Sequence, residues 1–182
     1  MIKFNDYIPL KGQLSIKVEN IKTGESFFHY IEKNTIVLIA KRDVVRLLGN
    51  DNINQRYLSK MKFGNGGHVS NPADPNYGQA LATNETMEDL VNPLITKSLS
   101  SVTFDDNLVN NTSSIICEAM LDTSEGNGPG GTQIYSEAGL FTFNETLITA
   151  GIKNSGLFAI KFFPILTKTA ELRFIFRWTI TV

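Results

Sequence analysis

Leu172, Phe174, Phe176, Trp178, Ile180 and Val182 fall on even positions, while Glu171, Arg173, Arg177, Thr179 and Thr181 fall on odd ones. A period of two is that of a strand with one buried face, because successive side chains point to opposite sides of the sheet. The run from Leu172 to Val182 spans about 35 Å at strand rise, and Ile175 is the one apolar residue on its polar side. Buried apolar side chains of this size contribute about 1.5–3 kcal/mol each, so this strand is predicted to be central to the fold and its truncation to unfold the domain.

The same alternation, weaker, recurs upstream. Leu14, Ile16 and Val18 alternate with Ser15, Lys17 and Glu19, and Lys22-Thr23-Gly24-Glu25 reads as a tight turn into a second, aromatic-rich strand over Ser26 to Ile31. From Asn34 the period lengthens. Ile36, Val37, Ile39, Ala40, Val44, Leu47 and Leu48 recur every three or four residues, which predicts an amphipathic helix over about 35–48, with Asn34 capping its start and Gly49 closing its end. Gly49 to Arg56 reads as a polar loop and Tyr57 to Phe63 as a short strand. Residues 64–93 carry glycines, prolines, Asn and Asp without apolar periodicity, and so predict a long surface loop that contacts a neighbour, with one helical turn near Glu85 to Val91.

Leu99 to Phe104 and Ile115 to Leu121 are strand-like and expected to pair across the turn-prone Asp105 to Thr112. Asp122 to Thr132 holds Gly126, Gly128, Gly130, Gly131 and Pro129, and is expected to be either mobile or ordered by a partner. Ile134 to Phe143, Thr146 to Ile152 and Leu157 to Phe163 read as further strands, with Asn144-Glu145 and Asn154-Ser155-Gly156 as turns. Together these elements predict a mainly β chain: one antiparallel β-sandwich domain over 1–182, with one amphipathic α-helix and long surface loops.

The totals narrow the partners. The chain has 182 residues, 42% hydrophobic and 19% charged, with a net charge of -1; its scattered Lys and Arg make no basic face for a phosphate backbone, so nucleic acid is not an expected partner. No apolar run is long enough for a membrane span. Lys3, Asn5, Asp6 and Pro9 disfavour a signal peptide, and the lone Cys117 forms no disulfide within the chain, so the expected place of synthesis is a reducing cytoplasm. The glycosylation-like triplets at Asn84, Asn110, Asn111 and Asn144 are then chance matches.

Parts for an enzyme are scarce. His29 and His68 are the two histidines, and His29 lies in an aromatic strand where packing is the commoner role. Cys117 alternates with Ile115, Ala119 and Leu121, as a small core residue does. Gly64-Asn65-Gly66-Gly67 is followed by His68-Val69, without the Lys-Ser/Thr of a phosphate loop, and reads as a sharp exit from a strand. Asp74, Glu85, Glu88 and Asp89 lack the spacing of a calcium loop. The expectation is therefore a non-enzyme with no catalytic residues, no cofactor and no metal. Gly139 inside an apolar strand suggests a bulge or close backbone approach, and Glu137 beside it could receive backbone N–H groups, within the domain or across a subunit joint. Pro164 after Phe162-Phe163 is read as the end of a strand and a sheet edge.

Ile134-Tyr135-Ser136-Glu137-Ala138-Gly139-Leu140-Phe141, then Phe158-Ala159-Ile160-Lys161-Phe162-Phe163-Pro164, Lys168-Thr169 and Phe176-Arg177-Trp178-Thr179-Ile180 follow one another in the last third. This order resembles that of tailed-bacteriophage structural proteins of the tail-collar, tail-fibre and baseplate type, in which a Glu-Ala-Gly-Leu-Phe element, a strand ending in Phe-Pro, a Lys-Thr turn and a Trp-Thr-Ile terminus recur. The first half is similar too, in its Lys-Thr-Gly-Glu turn, its Phe-Gly-x-Gly-Gly loop at Phe63 to Gly67 and its Leu-Val-x-Pro-Leu at Leu90 to Leu94. Ala150 to Phe158 is longer than the turn expected of the group, and Asn71 to Asn92 is richer in Pro and Asn. The resemblance implies a virion subunit of the tail, collar (neck) or baseplate, made in the host cytoplasm, bound to other tail proteins and repeated as a homo-oligomer in a three-fold or six-fold ring. It offers Glu137, Gly139, Phe141, Pro164 and Trp178 as structural or interface positions. Two rivals are a host-receptor-binding module of a tail fibre, using the Gly-rich loop and Tyr77, and an envelope hydrolase dependent on Glu137.

Overall fold

The computed structural model describes residues 10–48, 56–143 and 156–182. Strands β1 (Lys11–Asn20), β2 (Ser26–Lys33) and β3 (Thr35–Ile36) lead into helix α1 (Leu38–Leu48); β4 (Leu58–Gly64), β5 (Pro93–Ser98), β6 (Ser101–Asn107), β7 (Thr112–Leu121), β8 (Thr132–Thr142), β9 (Leu157–Thr169) and β10 (Leu172–Thr181) follow. They form two five-stranded antiparallel sheets, in the orders β2-β1-β10-β7-β6 and β3-β9-β8-β4-β5. This is the mainly β sandwich that the alternation predicts.

β10 is the middle strand of the first sheet, and its even residues set the core. Leu14, Trp178, Cys117 and Val102 form one row across β1, β10, β7 and β6; Ile16, Phe176 and Ala119 form the next, then Val18, Phe174 and Leu121. The second sheet answers with Phe63 and Phe163, whose rings lie 4.3 and 6.3 Å from that of Phe176, and with Tyr135, 6.4 Å from Phe174. The odd side of β10 faces out and pairs charges, with Arg177 on Glu118 at 3.0 Å and Arg173 on Asp122 at 3.2 Å. The β1–β2 turn closes as its sequence requires: Gly24 takes a φ of +73° and its N–H donates to the Asn20 carbonyl at 2.7 Å.

Five expectations are corrected. The helix begins at Leu38, because Thr35 and Ile36 pair with Ile160 and Ala159 of β9 and are held extended. Asn34 is not its cap: both amide atoms of its side chain are buried without a hydrogen-bond partner, and the Leu38 N–H is taken by the Glu85 carbonyl at 2.8 Å. The run Leu99 to Phe104 is a corner as well as a strand. β5 ends at Ser98 in the second sheet and β6 starts at Ser101 in the first, while Leu99 and Ser100 donate to Ser59 and Glu118 on the way across.

Pro164, expected to end a strand at an edge, lies inside β9. Tyr135 pairs with Leu166 and Glu137 with Phe162, so four residue steps on β9 face two on β8, and the proline occupies the resulting bulge where no ladder donor is needed. The stretch Asp122 to Thr132 is ordered by its own chain. Asp122 is held by Arg173, Glu125 by Lys97, the Gly126 carbonyl by Tyr135 Oη at 2.9 Å and the Asn127 Oδ1 by the buried Lys168 Nζ at 2.9 Å. Gly49, the strand at Thr146 to Ile152 and its preceding turn lie outside the described residues, as does the side chain of His29.

Candidate functional site

β8 places Glu137 where three distant segments meet. Ala138 pairs with Phe63, whose ring faces the core, so Ala138 and Leu140 point inward and Glu137, Gly139 and Phe141 point to the far side of the second sheet. That side is covered by the segment 65–92. Glu137 Oε1 accepts the N–H groups of Gly66 at 2.9 Å and Asn92 at 2.7 Å, and Oε2 accepts that of Val91 at 2.8 Å. The carboxylate is fully buried, and the three donors replace the water it loses.

The glycines on either side are needed for contact. A Cβ on Gly64 would overlap the Asn92 carbonyl and Glu137 Oε1, one on Gly66 would overlap Val91, and one on Gly67 would overlap the Ser136 carbonyl. Beyond an exit from a strand, Gly64 to Gly67 therefore let two backbones close on one carboxylate. Gly139 does the same for side chains: a methyl there would meet Phe141, Leu157 and Leu90. The Lys62 ammonium lies 4.2 Å from the centre of the Phe141 ring and reaches Asp89 on the covering segment at 3.4 Å.

The covering segment is a strap. Val69 and Gly78 to Gln79 bond to each other, Leu81 donates to Gly67, and Gly78 O accepts the Ile165 N–H at 3.0 Å, beside Pro164. The backbone at the β9 bulge, where an open edge was expected, is thus sealed by the chain itself. Thr83 Oγ1 is 2.6 Å from Thr35 Oγ1, and Leu90 enters the core.

Ser136 and His68 are 2.8 Å apart, Oγ to Nδ1, which is the contact of a nucleophile with its base. Ser136 has no exposed surface and its Oγ already accepts the Gly67 N–H at 3.1 Å, so the pair ties the start of the strap to β8. His68 in turn meets the Tyr77 ring edge-on at 6.3 Å. Burial pushes the Cys117 thiol and the Tyr135 hydroxyl each up to about 12. Among the described residues, no group of three His, Cys, Asp or Glu side chains is placed to hold a metal ion, and no helix is long and apolar enough to cross a membrane.

Glu137, Gly139, Phe141 and Trp178 are all buried and Pro164 is half-buried beside the strap, so within the chain these positions are part of the packing. The donors to Glu137 come from its own chain. The most exposed apolar side chains among the described residues are elsewhere, on β6 and the turn after it, where Phe104 is 75%, Leu108 92% and Val109 94% exposed. Their signal in the sequence is the adjacent pair Leu108-Val109 inside a run of Asn and Asp, Asp105 to Asn111. Neither a protein-family model nor a curated protein sequence matches the chain with significance.

Proposed function

We propose that this chain is a structural subunit of a tailed-phage virion, placed in the tail, collar or baseplate region, where it works mechanically through protein–protein contacts. The observation that carries the reading is the meeting at Glu137. The segments whose wording resembles the phage group, Phe63 to Gly67, Leu90 to Leu94 and Ile134 to Phe141, lie far apart in sequence and share one buried carboxylate. A scaffold that spends its most specific residues on internal rigidity, and leaves an apolar hairpin outside, suits a subunit that transmits load between neighbours. In this reading no bond is made or broken, and the chain assembles with other tail proteins and with copies of itself.

The test is electron microscopy of purified particles carrying a tag on this chain, labelled with gold-conjugated antibody. The expected result is label at one fixed level of the tail. Particles lacking the chain, or turnover of an envelope polymer by the isolated protein, would sink the proposal. A receptor-binding role has one observation in its favour, the half-exposed Tyr77 set against His68; it predicts that Tyr77→Ala particles assemble normally but adsorb poorly.

A further inference from the structure

We infer that β6 is a docking strand for a second copy of this chain, the two β6 strands pairing antiparallel across a two-fold axis centred on Phe104. β6 is an edge strand of the first sheet, and all of its residues are exposed. Ser113 and Val182 exchange N–H···O bonds at 3.0 and 3.4 Å, which fixes the phase of β7: Ser113, Ile115 and Cys117 turn their backbone groups to β10, and Ser114, Ile116 and Glu118 turn theirs to β6. Their partners on β6 are Asp105, Thr103 and Ser101. Val102, Phe104 and Asp106 therefore aim their N–H and C=O groups at the free edge.

The same three residues carry their side chains on the core side of the sheet, since Phe104 pairs with Ile115 and Val102 with Cys117. The second sheet ends at β5 and leaves Val102 41% and Phe104 75% exposed. Among the described residues no strand lies beside this edge, and an edge with such a backbone and an uncovered apolar row favours strand addition.

Charge and register select a second copy as the occupant. β6 reads Ser-Val-Thr-Phe-Asp-Asp-Asn, and only pairing about Phe104 overlaps all of it with itself. In that register Phe104 faces Phe104 of the second copy, Asp106 faces Val102 and Asp105 faces Thr103, so no acid faces an acid. A slip of two residues toward the turn sets Asp106 against itself. The chosen register also brings Leu108 and Val109 alongside Ser100 and Leu99 of the second copy, giving the most exposed apolar residues a surface to cover. A seven-residue edge is smaller than the roughly 800 Å² per partner of a standard interface, so the pair is expected to exchange and to depend on concentration. The pairing does not depend on the virion reading, and a three-fold or six-fold ring would need a further contact on another surface.

Cysteine cross-linking of the full chain tests both the contact and its register. Across a hydrogen-bonded antiparallel pair the Cα atoms are about 5.5 Å apart, within disulfide range. Phe104→Cys under oxidised glutathione should give a disulfide-linked dimer on a non-reducing gel, while Leu108→Cys, whose two copies lie roughly 26 Å apart in this register, should stay monomeric. The native Cys117 is fully buried and supplies no competing bond. Sedimentation of the unaltered chain should show mass rising toward twice the monomer with concentration, and Val102→Pro, which removes only an outward N–H, should abolish that rise while keeping the native circular dichroism. A monomeric Phe104→Cys, equal linking by Leu108→Cys, or a folded Val102→Pro chain that still self-associates would each overturn the pairing.

Discussion

Glu137 shows what one residue can do when its partners are backbone. Its three donors lie 71, 46 and 45 positions away, and each is an N–H that any sequence would supply. The carboxylate's importance was legible as an acid beside a glycine in an apolar strand, but its partners were not, because no side chain marks them. Glu137→Gln keeps the shape and turns one acceptor into a donor, leaving one buried N–H without a partner. A buried donor in that state costs about 1–3 kcal/mol. Urea unfolding of the variant should show a loss of that size, with faster amide exchange at Val91, whose N–H alone meets Oε2, than at Phe176. Cys117 was the opposite case: its alternation with Ile115 and Ala119 was enough to place it in the core, where it is.

At the scale of elements, the alternating runs were legible and the junctions were not. β10 needed only its period of two. The helix start was misplaced because Ile36 satisfies both a helical and an extended pattern, and the choice was made by β9, 120 and more residues later in the chain. The missing donor of Pro164 favours a strand end or an edge, yet a bulge removes the need for that donor inside a strand. Phe176 is fully buried against the rings of Phe63, Phe163 and Phe174, and Phe176→Ala should cost about 3–5 kcal/mol in a denaturant or thermal titration.

The loop Asp122 to Gly131 gives a prediction about pH. The Thr123 N–H and then Arg173 hold Asp122 below its ordinary value of 3.8, and Lys97 with the Asp122 N–H holds Glu125 below 4.5. A carboxylate whose folded value is lowered contributes above its ordinary value and loses that contribution as pH falls through the lowered one. The exchange protection factors of the Asp122 and Thr123 amides, which donate to these two carboxylates, should therefore be high at neutral pH and fall below about pH 4 once the intrinsic pH dependence of exchange is divided out. Burial lowers Lys168 from 10.5, against the pull of Asp122 and Glu125, so its ammonium is tolerated at a cost. That cost is relieved as pH rises from the lowered value to 10.5, and Lys168→Met, which keeps the bulk, should be better tolerated than Asn127→Ala is in the presence of Lys168.

For the whole molecule, fold class followed from local pattern, since strands bounded by turns must stack two layers to bury their apolar faces. Strand order did not follow, because it is set by pairings between remote segments that no local window contains. β10 is the clearest case. It pairs Val18 with Phe174 on one side and Cys117 with Trp178 on the other, so the first sheet has no middle until residues 172–181 are present. Refolding should accordingly show amide protection arising in β1, β7 and β10 in one common step, on the millisecond-to-second scale of sandwiches, measured by pulsed hydrogen exchange.

The same arrangement governs synthesis. While the ribosome is still making the stretch before residue 172, the β1–β2 and β6–β7 ribbons exist as two separate hairpins, each with a bare flank and a greasy side. Their keystone arrives last. Nascent chains thus pass through a long vulnerable interval, and a translational pause just upstream of Leu172 should raise the share of polypeptide captured by holdase chaperones or lost to inclusion bodies.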